Sequence, residues 1–521
     1  MKFIKTVIVF CAIVSLTVGI SYGKEAKKDD ALKIMISEGT LNNQTMEHLD
    51  ILTNRFGGRL LGSDAYENAM DWAESKFKEW GLVVMKEEVG SLPVGFNRGP
   101  WFGRMLDTDG MILHFATPSY TSGTKGVQRG HVLMEPRTQS EFNNMKGALK
   151  GAWVLISGKS NGFPIDISAA ADAHRDSIIM ENAQIAKEND EISRWNRANL
   201  NAKKELKELK TDPALFYRQM REAGILGIIQ SASVPIQALY DRKNINSMTF
   251  NTLPTVPDIK LEAAQYDIIA QKVKERRYFQ LEFDIRNHFK MGPVKYYNLI
   301  GVIKGSKYPD EYTLCGGHFD AYDVATGGVD CGTGVAPTME AARLIAKAMK
   351  ESGEKPLRSM MFCLWAGEEF GLLGSKYFVE KHKDMWPKIM NYFNRDGGPT
   401  VANGLTVPPA WYASMDKVCA PLYHLNPDFP FMLKQREGAP RSRPKVAAGT
   451  DSGSFAVAGI PTFGFATGDP LGYNFSYGEI WHTERDTYDK SIPVYMNHTS
   501  VVNAVVLWGM SNLPQMLPAG Q

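Results

Sequence analysis

Cysteine is scarce in this chain, with five residues among 521 and no pair in a CxxC arrangement. That excludes a disulfide-dense scaffold, so the core rather than bridges is expected to hold the fold. Charge of one sign is also missing. Of 59 basic residues, Lys2 and Lys5 lie in a segment expected to be removed, which leaves 57 against 57 acidic ones. With no basic cluster either, nucleic acid is excluded as a partner. Long apolar runs are absent beyond the N-terminus, so no membrane span is expected in the mature chain. Gly332-Thr333-Gly334 lacks the third glycine of a dinucleotide loop, and no nucleotide cofactor is expected.

The one conspicuous apolar run, Thr6 to Ile20, is 15 residues long, short of the roughly 20 that a spanning helix needs. Lys2 and Lys5 precede it, and Ser21-Tyr22-Gly23 offers small residues at the −3 and −1 positions. Residues 1–23 therefore read as a cleaved secretory signal, which places the mature protein outside the cell or in a periplasm. Cys11 leaves with it, and Cys315, Cys331, Cys363 and Cys419 remain. The length calls for two domains, and 44% hydrophobic with 22% charged residues is ordinary for a globular protein.

Asp29 to Phe56 and Asp64 to Trp80 have helical spacing, the second through Ala69, Trp72, Ala73 and Phe77, with Gly81 as its stop. Between them lies the glycine-punctuated loop Gly57 to Ser63. Short β-like runs follow from Val89 to Gly162, among them Met111 to Phe115 and Ala152 to Ser157. Ser177 to Lys210 reads as a charged helix with Ile178, Ile185 and Ile192 on one stripe, either a protrusion or lid or, more plainly, a solvated surface helix. Phe216 to Ala223 and Ile225 to Ile229 read as helix and buried strand, and Leu253 to Ile285 as β-rich. From Tyr297 onward, buried-strand runs at 299–303, 312–315 and 360–365 alternate with helices such as Val335 to Lys350, and a last helix covers Thr499 to Met510. That alternation predicts an α/β fold: a mixed, largely parallel central sheet flanked by helices.

Functional groups in such sheets gather at the C-terminal ends of strands. His318 and Asp320 follow one strand, Glu368 and Glu369 a second, and Asp396 a third. Two residues apart, His318 and Asp320 face one side if the strand continues, so that Asp320 can accept the second ring N–H of His318. Gly327, Gly328, Gly332 and Gly334 allow tight turns around Asp330. The Glu pair stands between an apolar strand and the apolar, glycine-rich Phe370 to Gly374, an unusual place for idle charge. Imidazole and carboxylate are zinc's preferred ligands, and a carboxylate that is not a ligand can act as general base toward a water. Trp481-His482 to Asp486-Thr487 lies far downstream, in a loop before the last helix.

Together His318-x-Asp320, the twelve-residue step to Asp330, Glu368-Glu369-x-Gly, Asp396 and His482-x-x-x-Asp486-Thr resemble the M28 family of zinc exopeptidases, most of all its carboxypeptidase Q branch. Arg59 to Ser63 and Thr450 to Pro461 resemble further segments of that family. The resemblance implies a zinc-exopeptidase-type catalytic domain from residues 24–100 and 285–521. A β-rich domain like a protease-associated domain would be inserted at 101–284, with the charged helix at about 177–210 as an extra. It implies two zinc ions bridged by Asp330, one also held by His318 and Asp396, the other by Glu369 and His482. Glu368 would be the general base, and Asp320 the second catalytic residue. The implied partner is a peptide, a dipeptide or other short one more than a folded protein, and a homodimer stays open. Asp451-Ser452 departs from the family, many members of which have a histidine after the aspartate.

Two other functions keep this fold: a single-zinc cyclase of N-terminal glutamine, and a binding relative that has lost catalysis. Every ligand position is filled here, which argues against the latter. The end of the peptide that is read stays open. Asp323 and Glu484 are candidate receivers of an ammonium, Arg485 and the Gly449 to Ser454 loop of a carboxylate. The branch resemblance favours the carboxyl end.

Overall fold

Three apolar strands form the part of the central sheet that carries the candidate site: Tyr308–His318, Arg358–Trp365 and Ile389–Asn394. The computed structural model describes residues 30–108, 110–438 and 442–518. The expected signal segment lies outside the described residues. Every residue of Arg358–Trp365 is buried, as a strand covered by helices on both faces requires. The three strands pair in parallel, Leu314 opposite both Met361 and Tyr392. Parallel neighbours need crossovers; helices Gly332–Ser352 and Leu373–Lys381 provide them. Two further strands, Val83–Asn97 and His288–Ile303, complete the five-stranded sheet in antiparallel pairing. The expected α/β architecture with a mixed sheet is present, and its parallel half is the half that holds the candidate residues.

Helices Asp30–Leu41, Gly332–Ser352 and Pro493–Ser511 pack together on one face of the sheet, where Met35, Met339, Ile345, Val502 and Val505 belong to one buried cluster. Trp365, Phe378, Tyr392 and Phe455 fill the other face. Fully burying a side chain of this size contributes about 1.5–3 kcal/mol. The helix over Asp64–Glu79 starts where Ser63 caps it, its side chain accepting from the Tyr66 N–H at 3.1 Å, and ends before Gly81 at φ +83°.

Between residues 101 and 285 the chain builds a second sheet of seven strands. Their order is Trp101–Leu106, Gln280–Ile285, Gln128–Met134, Ala152–Lys159, Gly227–Ala232, Asp258–Glu262 and Phe115–Ala116. Three expectations need correction along the chain. The single helix over 29–56 is broken after Leu41, because Asn43 Oδ1 accepts from the Thr45 N–H at 2.9 Å and restarts the helix at Thr45. The Met111–Phe115 run supplies only the short strand Phe115–Ala116. Leu253–Ile285 is not all β: Ala263–Lys274 is a helix, with Tyr266, Ile269 and Ala270 buried on one side.

The charged helix is the largest correction. It covers Ala169–Ala198, and residues 199–210 turn back along it as extended chain. Asn182, Asn189 and Asn196 each grip one backbone residue of the returning strand, Lys210, Lys207 and Lys204, through paired N–H···O bonds of 2.7–2.8 Å. Seven residues of helix rise roughly 10.5 Å, and three of extended chain cover roughly 10 Å, so the two spacings match. Charge composition suggested helix throughout; the heptad of asparagines is what marks the strap.

Candidate metal centre

His318 ends one parallel strand, Glu368 and Glu369 lie three and four residues past the end of the next, and Asp396 two past the third. All three groups therefore stand at the C-terminal edge of the sheet. Asp330 precedes the helix Gly332–Ser352. Its loop is fixed from three sides. The buried Arg59 donates from Nε to the Phe319 carbonyl (2.9 Å), from Nη1 to Thr326 (3.0 Å) and from Nη2 to Gly327 (3.1 Å). Asp486 Oδ1 accepts the Val329 N–H at 2.6 Å and the Asp330 N–H at 3.3 Å. Gly327 has φ +64°, and a Cβ there would collide with Ala321, so no other residue fits.

His482 arrives from the distant loop with φ +59°, a conformation rare outside glycine that its packing holds. Trp481 stacks on its ring at 4.0 Å and Tyr322 meets it edge-on at 4.5 Å. The loop is docked onto the 101–285 segment: Glu484 N–H donates to the Ile236 carbonyl at 3.0 Å, and the Glu484 carboxylate stands 2.8 Å from His114 Nε2.

All five residues named as metal ligands converge. His318 Nε2 lies 3.1 Å from Asp330 Oδ1 and 3.5 Å from Asp396 Oδ1; His482 Nε2 lies 3.0 Å from Glu369 Oε2 and 3.4 Å from Asp330 Oδ2. The expected role of Asp320 is corrected. Its carboxylate is 3.7 Å from His318 Nδ1, too far to accept from it, and its backbone carbonyl accepts at 2.8 Å instead. The carboxylate accepts the N–H groups of Glu368 (3.0 Å) and Glu369 (3.2 Å), and so fixes the Glu pair.

Hydrogen bonding tests whether cations fit. With Nδ1 set against a carbonyl, His318 turns Nε2 toward two carboxylates, which raise its pKa despite burial. A positive charge is favoured at that point, and a metal cation can take the place of the proton. Ligand atoms about 2.0–2.1 Å from a tetrahedral zinc stand roughly 3.3 Å apart, and the four separations above run from 3.0 to 3.5 Å. Asp330 Oδ2 and Glu369 Oε1 are buried without a hydrogen-bond partner among the described residues. Burial lifts the Glu368 carboxyl to about 10 and raises Glu369 too, with neighbouring carboxylates adding to both. Burial lowers His482 to about 4, which keeps it in the neutral form that ligates. The donor set and its unpartnered buried oxygens fit a metal centre.

A cavity of about 490 Å³ opens over this cluster, lined by Asp330, Glu368, Glu369, Asp396 and His482 together with Tyr477. Arg242, Lys376 and the 447–450 loop lie on it as well. Of the candidate end-receivers, only Gly449 and Thr450 from that loop reach it. Asp323 is held by Arg98 (2.8 Å) and Ser119 (2.5 Å), and Arg485 pairs with Glu479 at 3.4 Å; neither lines the cavity, nor does Glu484. Sequence reasoning missed Arg242, which sits in a segment without periodicity 76 positions before His318. It also passed over Arg59 as a clamp, although that is the one basic residue in the glycine loop 57–63.

The profile of peptidase family M28 matches residues 298–506, the stretch that holds all five candidate ligands. Carboxypeptidase Q of Rattus norvegicus is 32% identical over 238 residues, 44% of this chain and 46% of that protein. Carboxypeptidase Q of Xenopus laevis is 28% identical over 275 residues, 51% of this chain and 53% of that one. The chain thus spans about half the length of the curated relatives it matches. In fold, it is similar to the crystal structure of a peptidase M28 precursor from Shewanella amazonensis SB2B, with a TM-score of 0.55 and 20% identity over 95% of this chain and 99% of the other.

Proposed function

The chain belongs to peptidase family M28 and stands close to carboxypeptidase Q, and from that premise we propose that it is an exported two-zinc exopeptidase acting on dipeptides or short peptides. Asp330 carries the reading. One of its carboxylate oxygens faces His318 and the other faces His482, the arrangement of a bridge between two ions. His318 and Asp396 would complete one ligand set, Glu369 and His482 the other. Residues 101–284 would form the inserted domain, against which the His482 loop rests.

Zinc at these positions supplies Lewis acidity, which polarises a carbonyl oxygen and eases loss of a proton from water. Glu368 is the group placed to take that proton. Its carboxyl lines the cavity and makes no hydrogen bond or ion pair among the described residues, while its backbone is tied to Asp320. Having accepted the proton, Glu368 returns it to the leaving amine. Tyr477, kept protonated by burial, lines the same cavity and would offer a hydroxyl donor to the oxygen on which charge develops. The Asp320 bonds keep Glu368 and Glu369 in their separate positions as the proton moves.

The test is hydrolysis of free dipeptides by purified protein, followed by amine release before chelation, after it, and after zinc is restored. Loss and recovery of turnover are expected; full activity in the chelated protein would end the reading. Mass analysis of the exported chain should find Lys24 at or near its N-terminus, whereas an intact Met1 would contradict cleavage.

A further inference from the structure

We propose that Arg242, contributed by the 101–285 segment, receives the free carboxylate of the peptide substrate and so makes this a carboxyl-end reader. The inference rests on the peptidase reading above and specifies its substrate. Four acids line the cavity, Asp330, Glu368, Glu369 and Asp396. Under that reading three are ligands and one is the base, so no acid is left to receive a substrate ammonium. Asp323 and Glu484, the two candidate receivers of an ammonium read from the sequence, are committed to Arg98, Ser119 and His114.

The cavity's cations are differently placed. Lys376 is exposed and donates to the Gly371 carbonyl at 2.8 Å. Arg242 is also exposed, but it packs over the Phe163 ring with 5.8 Å from guanidinium carbon to centroid. It makes one hydrogen bond, from Nη2 to the Tyr322 hydroxyl at 2.9 Å, and no ion pair among the described residues. A guanidinium has five N–H donors in a planar fork that matches a carboxylate, so most of its capacity is open. Tyr322 sets the fork's position relative to the reacting centre, because its ring lies against His482 at 4.5 Å. A carboxylate on Arg242 is therefore held one tyrosine away from a candidate zinc ligand, within the same cavity.

The experiment compares alanyl-phenylalanine with its C-terminal amide on zinc-loaded wild type, Arg242→Ala, Arg242→Lys and Tyr322→Phe, with zinc content measured for each. Wild type should prefer the free dipeptide by tenfold or more in kcat/KM. Arg242→Ala should lower kcat/KM for the free dipeptide by at least tenfold, mainly through KM. It should leave the amide within twofold and zinc unchanged. Arg242→Lys, which keeps charge but not the fork, should recover part of the loss. Tyr322→Phe should show a smaller selective loss. Equal losses on both substrates in Arg242→Ala and Arg242→Lys, or a wild type that cleaves the amide as fast as the free dipeptide, would overturn this inference alone. Failure of wild type to cleave either substrate would overturn the peptidase reading and this inference with it.

Discussion

Neighbouring and chemically identical, Glu368 and Glu369 are assigned different work, and two isosteric substitutions separate them. Glu368→Gln removes a proton acceptor but no contact: the side chain has no hydrogen bond or ion pair among the described residues, and the N–H bond to Asp320 at 3.0 Å is made by the backbone. Folding and zinc content should be unchanged. Loss of a general base typically costs about 10²–10⁴-fold, and at 1.36 kcal/mol per decade this is about 2.7–5.4 kcal/mol of transition-state stabilisation. Glu369→Gln instead removes charge from an oxygen 3.0 Å from His482 Nε2, at a buried position. An amide there ligates poorly, so zinc should fall as well as turnover. The assay is kcat by amine release beside zinc per chain after desalting, both on the same preparation. Glu368→Gln turning over within threefold of wild type, or losing zinc while Glu369→Gln keeps it, would refute the assignment.

Two further outcomes follow from contacts elsewhere. Asp320→Asn keeps one acceptor oxygen but turns an NH₂ against one of the two N–H groups of the Glu pair. It should lower kcat and cut stability by about 2 kcal/mol for one lost charge-assisted bond, read as a lower urea midpoint; an unchanged midpoint with full activity would contradict the role given to Asp320. Glu38 is buried against Arg343 and Lys347 at 2.8 and 2.9 Å. Burial works to raise its carboxyl, but those cations outweigh it and bring it from 4.5 down to about 2. A depressed acid adds stability that is present above its unfolded value and is lost on acidification. Glu38→Gln should therefore be less stable than wild type at neutral pH, with the gap closing as pH falls from about 4.5 to about 2. A gap constant through that window would refute the pairing.

His318, Glu369 and Asp396 were legible because each ends or follows a buried apolar strand, and strand ends in a parallel sheet converge on one edge. His482 was legible only through family resemblance: its loop is joined to the rest by contacts with Tyr322 and the 101–285 segment, which no local pattern records. Asp320 was seen as important for the wrong partner. Spacing of two predicts a shared face with His318, but the strand ends at His318, so the next residues no longer alternate as a strand would. The strap over 199–210 escaped because its charge pattern is that of a surface helix, while the asparagine heptad that binds it acts across the turn at Asn199. Arg242 had no signal at all, since its meaning depends on a cavity that two distant parts of the chain form together.

Whether Asp330 bridges two ions is read from zinc stoichiometry. Purified protein loaded with zinc and desalted should carry two ions per chain by elemental analysis and native mass spectrometry, and Asp330→Ala should lose both, since each of its oxygens faces a different histidine. One tight zinc in wild type, or two retained in Asp330→Ala, would contradict the bridge.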